Sequence, residues 1–276
     1  MKKRIILILS IFSIIISIGF LIYPCVSGFI NQICNNSLVE NYDKNVNTMP
    51  DDEIEEEFAA AYEYNNNIVN QITTDNKYSY DSTGAYAHIL NFDDGQIGYI
   101  EIPKINVNLP IYHGINEKVL EKGAAHLPNT SLPLDGEDVH SVISAHTAYP
   151  AKVFFDNIEE LENGDKFYIT VLNKRFTYEV YRKDIVEPKD TSLLRVVKGE
   201  NIVTLMTCYP YAVNSHRLLV RGKLVNVQIE ENNNTITQSE SSHNYKSLIS
   251  TGLIILSFLI FIAIILIIIK KKLNKS

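Results

Sequence analysis

The 276-residue chain predicts a mainly β domain, a sandwich or barrel with short helices, preceded by a helical extension and flanked by one membrane-spanning helix at each end. Three observations predict this architecture. From about Gly98 to Val227, short β-branched and apolar runs follow one another without regular strand–helix alternation, which favours an all-β fold over a doubly wound sheet. Between Tyr23 and about Ile72, apolar residues recur at three-to-four spacing. At the two ends, Ile5–Ile22 and Leu248–Ile269 are apolar runs long enough to cross a bilayer.

Taken in order, residues 1–22 begin with Lys2, Lys3 and Arg4, and only Ser10, Ser13, Ser17 and Gly19 interrupt the apolar run that follows. The run exceeds a usual signal-peptide core and no small-x-small site follows it, so a retained signal anchor is expected. Cys25, after Tyr23-Pro24, lacks the small residues of a lipoprotein site. Residues 23–72 form the helical extension, with Val26, Phe29, Ile30 and Ile33 on one stripe and Ile54, Phe58, Ala61, Tyr62 and Ile68 on a second. Pro50 and the acids Asp51 to Glu57 suit a helix start, and they read as a solvated face rather than a metal site.

Residues 73–95 include the turn-rich TTDNKYSYDSTG, a connection in which Asp75, Tyr78, Tyr80 and Asp81 are candidates for covering something nearby. The β domain spans 96–227. Its expected strands lie in GYIEIPKINVNLPIYHG and at 140–146, 165–172, 176–186, 202–208 and 218–227, with a short helix within 154–161. Residues 228–247 are a polar linker, 248–269 the second span, and 270–276 a lysine-rich tail. Both basic ends belong in the cytoplasm, which places the β domain outside. Of 25 basic and 32 acidic residues, 7 basic ones lie at the termini, leaving 18 − 32 = −14 between them. So acidic a middle argues against nucleic-acid binding and suits basic or lysine-bearing partners.

Three cysteines are too few for a disulfide-built scaffold. Nine residues along a helix separate Cys25 from Cys34 by about 13 Å of rise on opposite sides, so they do not pair if that stretch is helical. Cys208 stands apart by its setting, because NIVTLMTCYPYAVNSHRLLVRGKLV (201–225) reads as two strands joined by a polar, proline-containing connection. A thiol then ends one strand while His216 and Arg217 begin the next, and a fixed cation favours thiolate and oxyanion charge. Since alternation points His216 and Arg217 in opposite directions, only one of them can face the thiol.

Among the histidines, His113, His126 and His140 suit satisfied structural roles within or beside strands, and His88 and His243 lie in poorly patterned stretches. His146 ends the run HSVISAH before the turn-like TAYP, where a strand-end histidine can meet a strand-end cysteine. No CxxC, HxH or HExxH spacing supports zinc, and neither a metal nor another cofactor is expected.

TLMTC, with Arg217 nine residues beyond Cys208, resembles the sortase signature, and HTAYP resembles the segment that begins at the sortase histidine. GYIEIPKINVNLPIYHG, HLPNTSLP and TCYPYAVNSHRLLVRG are similar to class C, pilus-assembling sortases, and the resemblance covers roughly Tyr23 to Val227. It implies a closed sortase-type β-barrel, with Cys208 as nucleophile, His146 as acid/base and Arg217 as the group steadying substrate and oxyanion. It also implies that Thr204, Leu205 and Thr207 border the substrate. The implied reaction cleaves an LPxTG-like signal between Thr and Gly through a thioacyl enzyme and joins the acyl group to a pilin lysine, at a Gram-positive cell surface. The chain departs from the family pattern in lacking the Asp-Pro-aromatic lid motif. Ala145, Thr147 and Ala148 stand where Gly, Arg and Gly are usual around the histidine, and Tyr209 and Ala212 replace Thr and Gly near the cysteine.

Three rival readings are a wall-anchoring sortase with a peptidoglycan amine as acceptor, a generic membrane-tethered cysteine hydrolase, and a non-enzymatic anchored surface protein. The hydrolase would not require a strand-borne arginine. LPNTS at Leu127–Ser131 imitates a sorting signal, but it lies far upstream of the C-terminal span, which makes it structural and weighs against a surface substrate.

Overall fold

The computed structural model describes residues 2–71, 84–92, 94–150 and 152–230. Asp75, Tyr78, Tyr80 and Asp81, the second expected span, most of the linker and the tail lie outside the described residues. Among those described, eight strands close into a barrel: β1 (Gln96–Ile102), β2 (Val107–His113), β3 (Ala124–His126), β4 (Val139–Ser144), β5 (Lys166–Val171), β6 (Lys174–Val186), β7 (Asn201–Tyr209) and β8 (His216–Ile229). Around the barrel the order is β1-β2-β3-β4-β7-β8-β6-β5, with β5 pairing back onto β1. Two pairings are parallel, β2 with β3 and β4 with β7; the others are antiparallel.

Closure depends on a glycine. At Gly98, beside a register shift in β1, a Cβ would sit 2.1 Å from the Thr170 carbonyl oxygen, so only a residue without a side chain lets β1 and β5 meet here. Pro110 falls inside β2, where it pairs with Tyr99 on one side, while the pairing to β3 starts only at Ile111. The missing donor therefore falls at the margin of the β2–β3 ladder.

Two helices precede the barrel. The first, α1 (Lys2–Asn47), is a single helix that runs through Pro24, so the expected anchor and the start of the extension form one continuous element. Proline removes one backbone donor without ending the helix. The second, α2 (Asp51–Gln71), carries Asp51, Asp52 and Glu53 in its first turn and buries Ile54, Phe58, Ala61, Asn65 and Ile68, one face at helical spacing.

Both helices dock on the barrel through named contacts. The buried Tyr42 hydroxyl donates to the Ile97 carbonyl at 2.9 Å and accepts from the Leu172 amide at 2.8 Å, and its ring meets Phe92 and Tyr99 edge-on. The Asn65 amide brackets Leu132, donating to its carbonyl and accepting from its N–H. Residues 84–92, part of the expected connection, instead fill a seam. Leu90 is fully buried with its N–H on Glu57, and the Tyr86 hydroxyl lies 2.7 Å from His126 Nδ1.

LPNTS is built into the same interior. The Thr130 hydroxyl donates to the Leu127 carbonyl, and the Ser131 N–H donates to the His140 carbonyl. His126 and His140 use both ring nitrogens on neighbouring groups, as structural histidines do, and His113 Nδ1 meets the Gly95 carbonyl. Burial lowers the basicity of all three, taking His126 to about 3.

Candidate active site

β7 positions the site. Val203 and Leu205 project into the barrel core, while Met206 packs outside with Leu127, Val142, Leu194 and Leu219. With both faces covered, the strand reads as an unbroken run rather than an alternating one. One pleat beyond Met206, on the same outer face, Cys208 emerges part-exposed with a free thiol.

Arg217 is the direct antiparallel partner of Cys208, and His216 is paired with Tyr209. Directly opposed residues share a face, so Arg217 accompanies the thiol and His216 does not. His216 is exposed and its Nδ1 lies 2.9 Å from the Ser215 hydroxyl. The guanidinium Nη1 donates to the carbonyls of His216 at 3.0 Å and Asn214 at 3.4 Å, which holds it against the β7–β8 turn. That turn contains the cis Tyr209–Pro210 bond and two residues in the left-handed region, Ala212 and Asn214.

His146 lies just past β4. The β4–β7 register pairs Ser144 with Met206, an offset of 62 residues, and the same offset carries His146 to Cys208. The strands stay attached past the last pair, since the Ala145 N–H donates to the Met206 carbonyl and the Thr207 hydroxyl to the Ala145 carbonyl. His146 Nε2 is buried 3.4 Å from Glu117 Oε1, within ion-pair range but without hydrogen-bond geometry. Tyr149 stacks on the imidazole at 5.0 Å. Local desolvation and then a hydrogen bond to Glu121 raise the Tyr149 phenol, which keeps it a donor.

A small cleft opens at this end of the barrel, with Thr147, Phe155 and Glu159 on one side and Cys208, Tyr209 and Tyr211 on the other. The three residues expected to border substrate are largely committed to the fold. Thr204 is fully buried with its hydroxyl on His140, and Leu205 is in the core; Thr207 alone lines the cleft, while its hydroxyl bonds Ala145. Glu117 and Tyr149 escaped sequence reasoning, because a four-residue helix (α3, Glu117–Leu120) and a turn carry no periodic signal that would bring them to His146.

A thiol, an imidazole position and a guanidinium on adjoining strand ends are groups suited to cysteine-dependent acyl transfer. A family profile described as Sortase domain matches residues 100–225. Sortase D of Bacillus subtilis is 34% identical over 131 residues, 46% of this chain and 63% of that protein. Among solved structures, Streptococcus pneumoniae sortase C is 37% identical with a TM-score of 0.63, covering 69% of this chain and 97% of that one. Clostridium perfringens sortase C, solved with a C-terminal cell wall sorting motif, is 36% identical with a TM-score of 0.61, over 69% and 98% of the two chains. The chain belongs to the sortase family of cysteine transpeptidases, and its structural neighbours are class C sortases. It spans less than two thirds of the length of Bacillus subtilis sortase D and of Streptococcus agalactiae sortase A.

Proposed function

We propose that this chain is a membrane-anchored transpeptidase that cleaves an LPxTG-like sorting signal and transfers it to a pilin lysine, polymerising pili. The observation that carries the reading is the pairing of Cys208 with Arg217 on β7 and β8, beside the parallel β4–β7 pairing that ends two residues before His146 and Cys208. The Cys208 thiolate attacks the threonine carbonyl of the signal, and the developing oxyanion is balanced by the Arg217 guanidinium. The Thr–Gly carbon–nitrogen bond breaks as His146 gives its proton to the leaving amine. A lysine amine then attacks the thioacyl carbon and passes a proton to His146. The carbon–sulfur bond breaks and the thiolate is restored. The acidic character of the segment between the termini suits a cationic acceptor.

Class C structural neighbours, one solved with a sorting motif, favour the pilus reading over wall anchoring. α1 is the one helix among the described residues long and apolar enough to cross a membrane, and its Ile5–Ile22 part is assigned as the anchor.

The test incubates the protein with an LPxTG-type peptide, with and without an amine. A thioacyl adduct on Cys208 by mass spectrometry and an amine-dependent transfer product are expected, and Cys208→Ala should lose both, while Cys34→Ala keeps them. Transfer by Cys208→Ala would overturn the assignment, and hydrolysis indifferent to every amine would point to a hydrolase. In cells, loss of pilin ladders with Cys208→Ala separates pilus assembly from wall anchoring.

A further inference from the structure

We infer that the cleft end of the barrel faces the bilayer, with residues 152–155 and the β7–β8 turn as the surface that meets phospholipid headgroups. This rests on the anchor reading of Ile5–Ile22. Because α1 is one helix from Lys2 to Asn47, it acts as a ruler from membrane to barrel.

Phe20 and Leu21 are 76% and 77% exposed, whereas Val26 to Phe29 are half-buried, so the helix meets the folded body just past the apolar run. Here it lies against the active-site loop: a Cβ on Gly28 would lie 3.9 Å from Val153 Cγ2. Further along, Asn36 bonds Asn108 of β2, and Tyr42 bonds Ile97 of β1 and Leu172 at the β5–β6 hairpin.

At 1.5 Å per residue, Gly28 stands about 9 Å beyond Ile22 and Tyr42 about 30 Å beyond it. The headgroup layer of one leaflet is about 5–8 Å thick, taking half the difference between total and hydrocarbon thickness. Val153 thus stands at the outer edge of the headgroup layer, and the hairpin lies about 20 Å further out. A helix tilt of about 20° shortens these heights by a few per cent and leaves their order unchanged.

The exposed side chains at this end agree with the placement. Val153 is 54% exposed, and Tyr211 and Val213 of the β7–β8 turn are 59% and 67% exposed. Tyr211 lines the same cleft as Phe155 of the loop, and tyrosine favours the membrane–water boundary. Because Asp156 and Glu159 stand at the same cleft, the matching surface is zwitterionic rather than strongly anionic. A peptide whose cleavage point emerges directly outside its own membrane segment then reaches Cys208 without spanning the barrel's length.

The test uses the full chain in phosphatidylcholine nanodiscs, with its three cysteines replaced by alanine and single labels introduced by Val153→Cys, Val213→Cys, Asn173→Cys or Phe12→Cys. A nitroxide on the lipid headgroup should quench a fluorophore at 153 or 213 several-fold more than one at the hairpin position 173. Equal or greater quenching at 173, with the Phe12 label quenched by tail nitroxide, overturns the orientation alone. A Phe12 label untouched by tail nitroxide overturns the anchor reading and the orientation with it.

Discussion

At the residue scale, two alanines mark the site's local strain. Ala148 and Ala212 hold φ values of 56° and 60°, and both stand where the family resemblance has glycine. A side chain in the left-handed region costs about 1–2 kcal/mol, against about 0.5–1 kcal/mol of extra unfolded-state entropy that glycine brings. Ala212→Gly should therefore stabilise the fold by about 0.5–1 kcal/mol, read as a higher denaturant midpoint at unchanged slope. Arg217→Lys keeps the charge but loses the planar fork, and turnover is expected to fall on the order of 10²-fold. Full turnover in that variant would reduce Arg217 to a structural charge. Glu117→Gln removes the carboxylate 3.4 Å from His146 Nε2, and turnover should drop several-fold while the KM for the sorting peptide holds. An unchanged kcat would leave Glu117 a bystander.

At the scale of elements, the strand runs were legible because Ile202–Thr207 and Leu218–Val225 are β-branched and bounded by turn residues. The three-residue β3 was not, since Ala124–His126 is too short to show a period and forms only by pairing with β2 and β4. Closure of the barrel, which the family resemblance implied, left no mark in local pattern either, as it needs β1 against β5 across more than sixty residues. Gly98→Ala tests that seam. Its Cβ would collide with backbone at Thr170, which cannot swing aside, so a loss of roughly 3 kcal/mol or failure to fold is expected. Tyr42→Phe tests helix docking instead: it strips the partner from two buried backbone groups, at a cost of about 2–3 kcal/mol in guanidinium unfolding.

At the scale of the whole molecule, acid should weaken the fold through its buried histidines. His113, His126 and His140 are all held below the usual imidazole range by burial. Their neutral forms stabilise fully above pH ~6.5, and that contribution is lost as pH falls, because the unfolded chain takes up protons that the folded chain refuses. For His126, at about 3 when folded, the loss at pH 5 is about 2 kcal/mol. Asp43 opposes this: burial, then the nearby Glu230, raise it to about 6, so its penalty is relieved on acidification. Three lowered histidines outweigh one raised carboxyl, and stability should decline from pH 7 to pH 5 in denaturant titrations. A flat or rising profile would mean that the histidines are hydrated rather than buried.

The sequence by itself named the candidate chemistry-bearing residues and the kind of elements that carry them. Cys208 and Arg217 sit nine residues apart around a turn, and local spacing suffices to bring such strand ends together. What only the tertiary structure decided is non-local. It put Arg217 rather than His216 directly opposite Cys208, carried the parallel β4–β7 register as far as Ser144 and Met206, two residues short of His146 and Cys208, and committed Thr204 and Leu205 to the interior. It also brought Glu117 to His146 and Val153 to Gly28. Residue pattern reports which face of an element is apolar, but parallel pairing and barrel closure join segments tens of residues apart, and no local period records that partnership.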